Sequence, residues 1–265
     1  MDEPKQENLL TAWWFWLCIA LAGFFVYWFL AMPLEVTTGG FAEAVMVILL
    51  AASSTATLLL VAKKFNYRET PPGRIMTAIV VGFASWTVAE TVWTGYYVSD
   101  LDPLPSWADV FWILGYAFVI AALVVNANSI RLRFSHAMFA LWLVLSAVVA
   151  LPVLSIQVLP LIAEDPSLDT LVAVAYPVLD VLLIVPALAI LLKFRLGEIA
   201  LPWGVLTLGF ILTGIGDLWY AYADYNGTYG EAYNLTDLFL MLGYVAFILG
   251  GLLFLKLYGS ETVRE

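Results

Sequence analysis

Long apolar runs alternate with short polar stretches along the whole chain. Eight runs cover about 11–32, 42–63, 73–98, 107–126, 137–160, 169–194, 200–224 and 235–257. A bilayer-spanning helix needs roughly 20 apolar residues, and each run meets or approaches that length. The pattern therefore predicts an all-α polytopic transmembrane bundle of about eight spans. Pro71-Pro72 and Pro202 lie near the starts of the third and seventh spans, where a missing N–H costs little. Pro103 and Pro105 keep the loop before the fourth span extended. The first run is too long for the apolar core of a signal peptide and lacks a small-residue cleavage site, so it is read as a retained span.

The polar residues inside these runs repeat. Asp109 to Tyr116 reads D-V-F-W-I-L-G-Y, and Asp237 to Tyr244 reads D-L-F-L-M-L-G-Y, 128 positions later. Gly82-Phe83 matches Gly209-Phe210, Glu90 matches Asp217 and Trp93 matches Tyr220, all at offset 127, while Lys64-Phe65 matches Lys193-Phe194 at offset 129. The expected organisation is a tail at 1–10, four-span units at 11–131 and 137–257, and a tail at 258–265. An even number of spans per unit makes the units parallel, related by a pseudo-two-fold axis along the membrane normal.

Composition agrees with the pattern: 63% of residues are hydrophobic and 12% charged, with a mean hydropathy of +0.93, against about half and a quarter in soluble domains. The net charge of −10 gains meaning when mapped. Beyond the N-terminal tail, basic residues gather at Lys63/Lys64/Arg68/Arg74, Arg131/Arg133, Lys193/Arg195, Lys256 and Arg264. The alternate loops carry Glu35 and Glu43, Asp100 and Asp102, Glu164/Asp165/Asp169, Asp224 and Glu231. The positive-inside rule then predicts a multi-pass protein of the cell membrane with both termini in the cytoplasm. No basic face exists to neutralise phosphates, which argues against nucleic-acid binding.

Carboxylates inside apolar runs are costly and mark functional candidates. Glu90 lies about two turns from the outer end of the third span, and Asp109 opens the fourth. Asp217 and Asp237 repeat this arrangement in the seventh and eighth. Tyr116 follows Asp109 by seven residues and Tyr244 follows Asp237 by seven, nearly two turns, so acid and phenol share a face. Glu90, Trp93 and Tyr97 line one face, as do Asp217, Tyr220 and Asp224. The expectation is an outer vestibule of carboxylates and aromatic hydroxyls in each half, binding a cation, an amine or a polar ligand. Helix capping is the competing reading for Asp109 and Asp237, and Ser106 three residues before Asp109 resembles a capping box. Glu90 and Asp217 lie within their spans, where capping does not apply. Asp180 lies near the middle of the sixth span between Pro177 and Pro186, each of which frees a backbone carbonyl. Its repeat equivalent is Ala51. A proton or ion relay fits it, as does a protonated side chain bonded to a freed carbonyl.

Other chemistry is sparse. Cys18 is the sole cysteine and forms no intrachain disulfide. His136 reads as an interfacial residue, and most Trp and Tyr read as an interface belt. Asn226-Gly227-Thr228 and Asn234-Leu235-Thr236 are weak glycosylation signals. No Cys/His metal cluster, Ser-His-Asp constellation or Gly-rich phosphate loop occurs, so no catalytic or metal-ligating residue is assigned and no cofactor is named. A retinal protein needs a lysine deep in a late span, and Lys256 lies at the end of the last one.

The stretch P-S-W-A-D-V-F-W-I-L-G-Y, Pro105 to Tyr116, resembles a motif of the multi-pass membrane sensor regions that precede diguanylate cyclase or histidine kinase domains in bacterial and archaeal signalling proteins. Tyr176-Pro177-Val178-Leu179-Asp180, Asp217-Leu218-Trp219-Tyr220-Ala221 and Asp237 to Tyr244 look similar to recurring elements of the same family, so the resemblance covers most of the chain from about 80 onward. It implies a sensor. With no output domain between the last span and Glu265, the expected partner is a separate cytoplasmic or membrane signalling protein reached through the loops 63–74, 126–136 and 193–200. The favoured reading is a non-enzymatic sensor or ligand-binding module in the lipid bilayer, with homo-oligomers compatible. In it Glu90 and Asp217 are ligand or proton contacts and Asp180 is a midplane switch. A small cation- or proton-coupled transporter and a structural subunit of a membrane complex are the alternatives.

Overall fold

The computed structural model describes residues 9, 12–31, 41–129, 135–164, 166–193 and 200–258. The expected cytoplasmic tails fall almost wholly outside these residues, as do Glu35, Arg131, Arg133, Asp165 and Arg195. The eight helices are α1 (Trp13–Ala31), α2 (Phe41–Lys64), α3 (Pro71–Val98), α4 (Trp107–Ser129), α5 (His136–Glu164), α6 (Leu168–Lys193), α7 (Ala200–Tyr225) and α8 (Tyr229–Leu257). All eight contain a stretch long and apolar enough to cross a bilayer, and no strand occurs among the described residues. The all-α, eight-span reading of the hydropathy pattern is thus the architecture found.

Local chemistry sets several of the ends. Thr70 caps α3, its hydroxyl accepting from the Gly73 N–H at 3.1 Å, with Pro71 and Pro72 filling the first turn. Ser135 caps α5 by accepting from Met138 N–H at 3.3 Å. Inside α5, Pro152 precedes a π-helical segment, Val153–Val158, closed by a bond from Leu159 N–H to the Leu154 carbonyl. One difference from the hydropathy reading matters for the site. The helix α8 begins at Tyr229, not near 235. Asp237 therefore lies about two turns inside the helix, where the N–H groups are already bonded within the helix. The capping reading fails for Asp237.

Six helices close a ring. Going round, α2 packs on α3, α3 on α4, α4 on α6, α6 on α7, α7 on α8 and α8 back on α2. The first helix lies outside this ring against α8, and α5 lies outside it against α6, with its π-helical turn also touching α7. Both outer helices leave large apolar side chains uncovered, including Trp13, Tyr27, Leu143 and Val148, as suits surfaces facing lipid. Lipid is as apolar as leucine, so ring closure rests on close packing and interhelical hydrogen bonds. Both are present. The α3–α4 pair approaches so tightly that a Cβ on Gly82 would stand 2.5 Å from Val119, and one on Gly115 would stand 2.3 Å from the Trp86 ring. In the α7–α8 pair, a Cβ on Gly209 would stand 2.6 Å from Phe247, and one on Gly243 would stand 2.4 Å from Thr213. Each residue of the second set lies 127 or 128 positions after its counterpart in the first. Across the centre, Phe83 of α3 meets Phe210 of α7, its counterpart at offset 127, with ring centroids 6.3 Å apart. Ser54 joins α2 to α8 through the Tyr244 carbonyl at 3.3 Å, and Thr55 joins α2 to α3 through Thr87 at 3.0 Å.

Candidate functional site

The interior of the ring holds Glu90, Tyr116, Tyr176, Asp180 and Asp217 roughly two to three turns from the acidic-loop ends of their helices, with Asp109 nearer that end in the first turn of α4. Asp109 is there because its local sequence caps α4. Its Oδ2 accepts from the Ser106 N–H at 2.6 Å and the Ser106 hydroxyl at 2.7 Å, while Ser106 Oγ accepts from the Asp109 N–H at 3.3 Å. This is the reciprocal geometry of a capping box. The other carboxylate oxygen faces inward and accepts from the Tyr176 hydroxyl of α6 at 2.5 Å. Asp109 is thus a cap and also a tie between α4 and α6.

One helical turn and three residues further along α4, Tyr116 reaches the centre of the cluster. Its hydroxyl stands 2.6 Å from Asp180 Oδ1 of α6 and 3.0 Å from Asp217 Oδ2 of α7. Asp180 is completely buried, and its Oδ2 has no hydrogen-bond partner. Proline at 177 and 186 leaves α6 helical throughout Leu168–Lys193, so Asp180 stays on a regular helical face. Its bond runs to the Tyr116 phenol and not to a freed carbonyl.

Glu90 of α3 occupies the opposite side. Its Oε1 accepts from Trp112 Nε1 of α4 at 3.2 Å and from the Tyr244 hydroxyl of α8 at 3.4 Å. Trp112 is itself braced, since its carbonyl accepts from Trp86 Nε1 at 3.1 Å. Aromatic edges fill the space between: Trp86 meets Tyr116 at 5.3 Å, and Tyr176 lies 6.3 Å from Trp112 and 6.5 Å from Tyr116.

Acids and phenols of the two halves therefore meet in one bonded cluster. The tyrosine of the first half, Tyr116, bonds an acid of the second half, Asp217. The tyrosine of the second half, Tyr244, bonds an acid of the first, Glu90. Sequence spacing placed acid and phenol on one face within each half, but it could not say which neighbour that face would meet. Ring closure brings the exchanged partners within reach: α4 meets the second half at α6 and α8 meets the first at α2, and Tyr116 and Tyr244 extend past those neighbours to acids on α7 and α3.

Other expected residues lie at the rim. Trp93 packs on Trp112 with centroids 5.7 Å apart. Tyr97 and Tyr220 are 45% and 43% exposed. Asp237 is partly buried inside α8. Asn226 is exposed, and its side chain donates to the Tyr222 carbonyl at 2.7 Å. Three residues of the cluster were not singled out by spacing arguments: Trp86, Trp112 and Tyr176. A signal for two of them exists. Trp112 precedes Tyr116 by four and Tyr176 precedes Asp180 by four, the separation that stacks side chains on one helical face.

Electrostatics set the chemical problem. Glu90, Asp180 and Asp217 converge in a ring that a bilayer would surround, and buried charge is costly unless paired. The sequence carries no Lys or Arg between Arg74 and Arg131, between Arg133 and Lys193, or between Arg195 and Lys256. The helices that bear these acids therefore supply no cation at this depth. The donors are neutral phenols and indoles. Among the described residues no three of His, Cys, Asp and Glu converge in a manner that could hold a metal ion.

Fold and site together define a polytopic helical protein of membrane type with an internal carboxyl–phenol network. Comparison with protein-family models, with curated proteins and with solved structures finds no match.

Proposed function

We propose that the protein is a non-enzymatic membrane module that binds a proton or a small cation among Glu90, Asp180 and Asp217, and passes the occupied state to a separate partner. The observation that carries this reading is the convergence of carboxyl groups on Tyr116 and Tyr244 in helices that contain no basic residue at that depth. Positive charge must then come from outside the chain. Two further observations favour a sensor. The segments that resemble sensor-region motifs touch one another, Tyr116 bonding Asp180 and Tyr176 bonding Asp109. The hydrogen bonds also link the two halves, so a change in occupancy alters how the halves meet.

The halves are read as copies of one four-span unit, 11–131 and 137–257. The matched glycine contacts, the meeting of Phe83 with Phe210 and the exchanged tyrosine–acid bonds support this, since copies about a two-fold axis make their contacts reciprocally. The same ring favours a second reading, a cation- or proton-coupled transporter, because parallel repeats suit alternating access. Flux in proteoliposomes, abolished by Asp180→Asn, is its signature. Absence of flux for protons, alkali ions and organic amines counts against it.

The binding reading is tested by melting the full-length protein in detergent across pH, sodium, potassium, magnesium and organic amines. A ligand at 100 times its dissociation constant adds about 2.7 kcal/mol to stability, an easily read rise in Tm. At least one condition is expected to produce it, and Asp217→Asn to remove it. A wild-type Tm indifferent to all of them overturns the reading.

A further inference from the structure

We infer that the ligand of this site is a proton, held between Asp180 and Tyr116 and shared through Tyr116 with Asp217. The inference rests on the binding reading above and narrows it to one ligand.

The Tyr116 oxygen lies 2.6 Å from Asp180 Oδ1 and 3.0 Å from Asp217 Oδ2, both distances of O–H···O bonds. A phenol carries one hydrogen and two lone pairs. It donates to one carboxylate and leaves the second oxygen–oxygen contact without a hydrogen. One more hydrogen completes the set. With it on Asp180, the carboxylic O–H donates to the Tyr116 oxygen, and the Tyr116 O–H donates to Asp217. The fully buried Oδ2 of Asp180, which has no partner, is then the carbonyl oxygen of a neutral acid and not one end of a buried charge. The proton is taken up from the aqueous phase, and the net charge of the cluster rises by one, from two negative carboxylates to one.

The surroundings fit a proton better than a metal ion. A hard cation takes six or more oxygen ligands, while here two carboxyl groups meet through one phenol and no third acid, His or Cys completes a metal-holding group among the described residues. Other helices packed on α6 supply few competing groups. The fifth helix carries His136 and Glu164 only at its ends, α4 contributes Tyr116 and, towards the acidic end, Asp109, and α7 contributes Asp217, with Tyr220, Tyr222, Asp224 and Tyr225 beyond it. Tyr176 on α6 itself is bonded to Asp109. Glu90 and Tyr244 stand across the ring and bond each other. Removal of the hydrogen leaves two charged carboxylates on one phenol at the α4–α6–α7 junction. There α6 and α7 are so close that a Cβ on Gly214 would stand 2.7 Å from Ile184. Repulsion at that point loosens the α6–α7 contact, at which Tyr116 of α4 is bonded to both helices.

The test is a pH titration of the full chain in nanodiscs, read by intrinsic tryptophan fluorescence, to which Trp86 and Trp112 beside the cluster contribute, and by the infrared carboxylic C=O band. A single-proton step in both signals is expected, the same with sodium, potassium or neither. Asp180→Asn, which mimics the neutral acid, is expected to remove the step and the band, and Tyr116→Phe to move its midpoint. A response to an alkali ion or an amine at fixed pH, with no response to pH, overturns the proton assignment and leaves cation binding standing. No response to any of them overturns both. A pH step that persists unchanged in Asp180→Asn overturns the assignment to this triad. If the variants do not fold, the wild-type band decides above the range where exposed Asp and Glu ionise, about pH 4: a carboxylic band that persists there and is lost at higher pH supports the proposal, and no band there overturns it.

Discussion

Asp109 and Asp237 open the same eight-residue phrase yet stand in different situations. Asp109 follows Pro103, Pro105 and Ser106, which stop the helix from starting earlier, so it becomes part of a capping box. Asp237 follows a stretch that is already helical from Tyr229, and its side chain belongs to a helix interior. The capping chemistry of Asp109 was legible, because Ser-x-x-Asp after a proline-rich loop has a local physical meaning. Its second bond, to Tyr176, was not legible, because it depends on α6 lying beside α4. Ser106→Ala is expected to cost about 0.5–2 kcal/mol, the usual value of an N-cap. Thermal melting checks it, with Ser99→Ala, an exposed position, as a control that changes little.

At the level of single helices, hydropathy located all eight spans and missed the start of α8. The residues from Tyr229 to Asn234 are polar or small, so they carry no membrane signal. Hydropathy reports the apolar segment, whereas helix limits are set by backbone bonding. The irregularity of α5 was equally invisible. Its π-helical turn after Pro152 brings Gln157 round to donate to the Leu218 carbonyl of α7 at 2.9 Å. That bond is a polar tie from an outer helix to the ring. Gln157→Leu is expected to lower stability by on the order of 1 kcal/mol, typical of such interhelical bonds. A fall of that size in Tm, with unchanged helical content by circular dichroism, checks it.

The whole molecule is organised by ring order, and here charge and packing speak to different questions. The alternation of basic and acidic loops predicts orientation through the positive-inside rule. Single cysteines at Asn66 and at Asp102, in a background lacking Cys18, are expected to label from the cytoplasmic and external sides respectively with an impermeant thiol reagent. The reverse pattern inverts the topology. Packing controls how the halves join. Internal similarity suggested two units, but the exchanged bonds, Tyr116 with Asp217 and Tyr244 with Glu90, reach across the closed ring and depend on how its helices are ordered. The halves are not equivalent at the site. The second presents Asp180 to Tyr116, and in the proposed alignment of the halves the position 129 residues earlier is Ala51, fully buried in α2. The acid without a counterpart in that alignment is the one with the shorter bond to Tyr116.

The chain by itself determined that it is all helical and that eight segments suit a bilayer, and it offered a cap at Asp109 and helix faces shared by acids and phenols. These follow from periodicity, length and local hydrogen bonding, which act over a few residues. Only the tertiary structure decided that the two acidic faces form one cluster, that Tyr116 lies between Asp180 and Asp217, and that Trp86, Trp112 and Tyr176 complete the surround. Which faces meet depends on close approach at Gly82, Gly115, Gly209 and Gly243 and on the order of helices round the ring. That order reflects the packing of residues more than a hundred positions apart, and no local pattern encodes it.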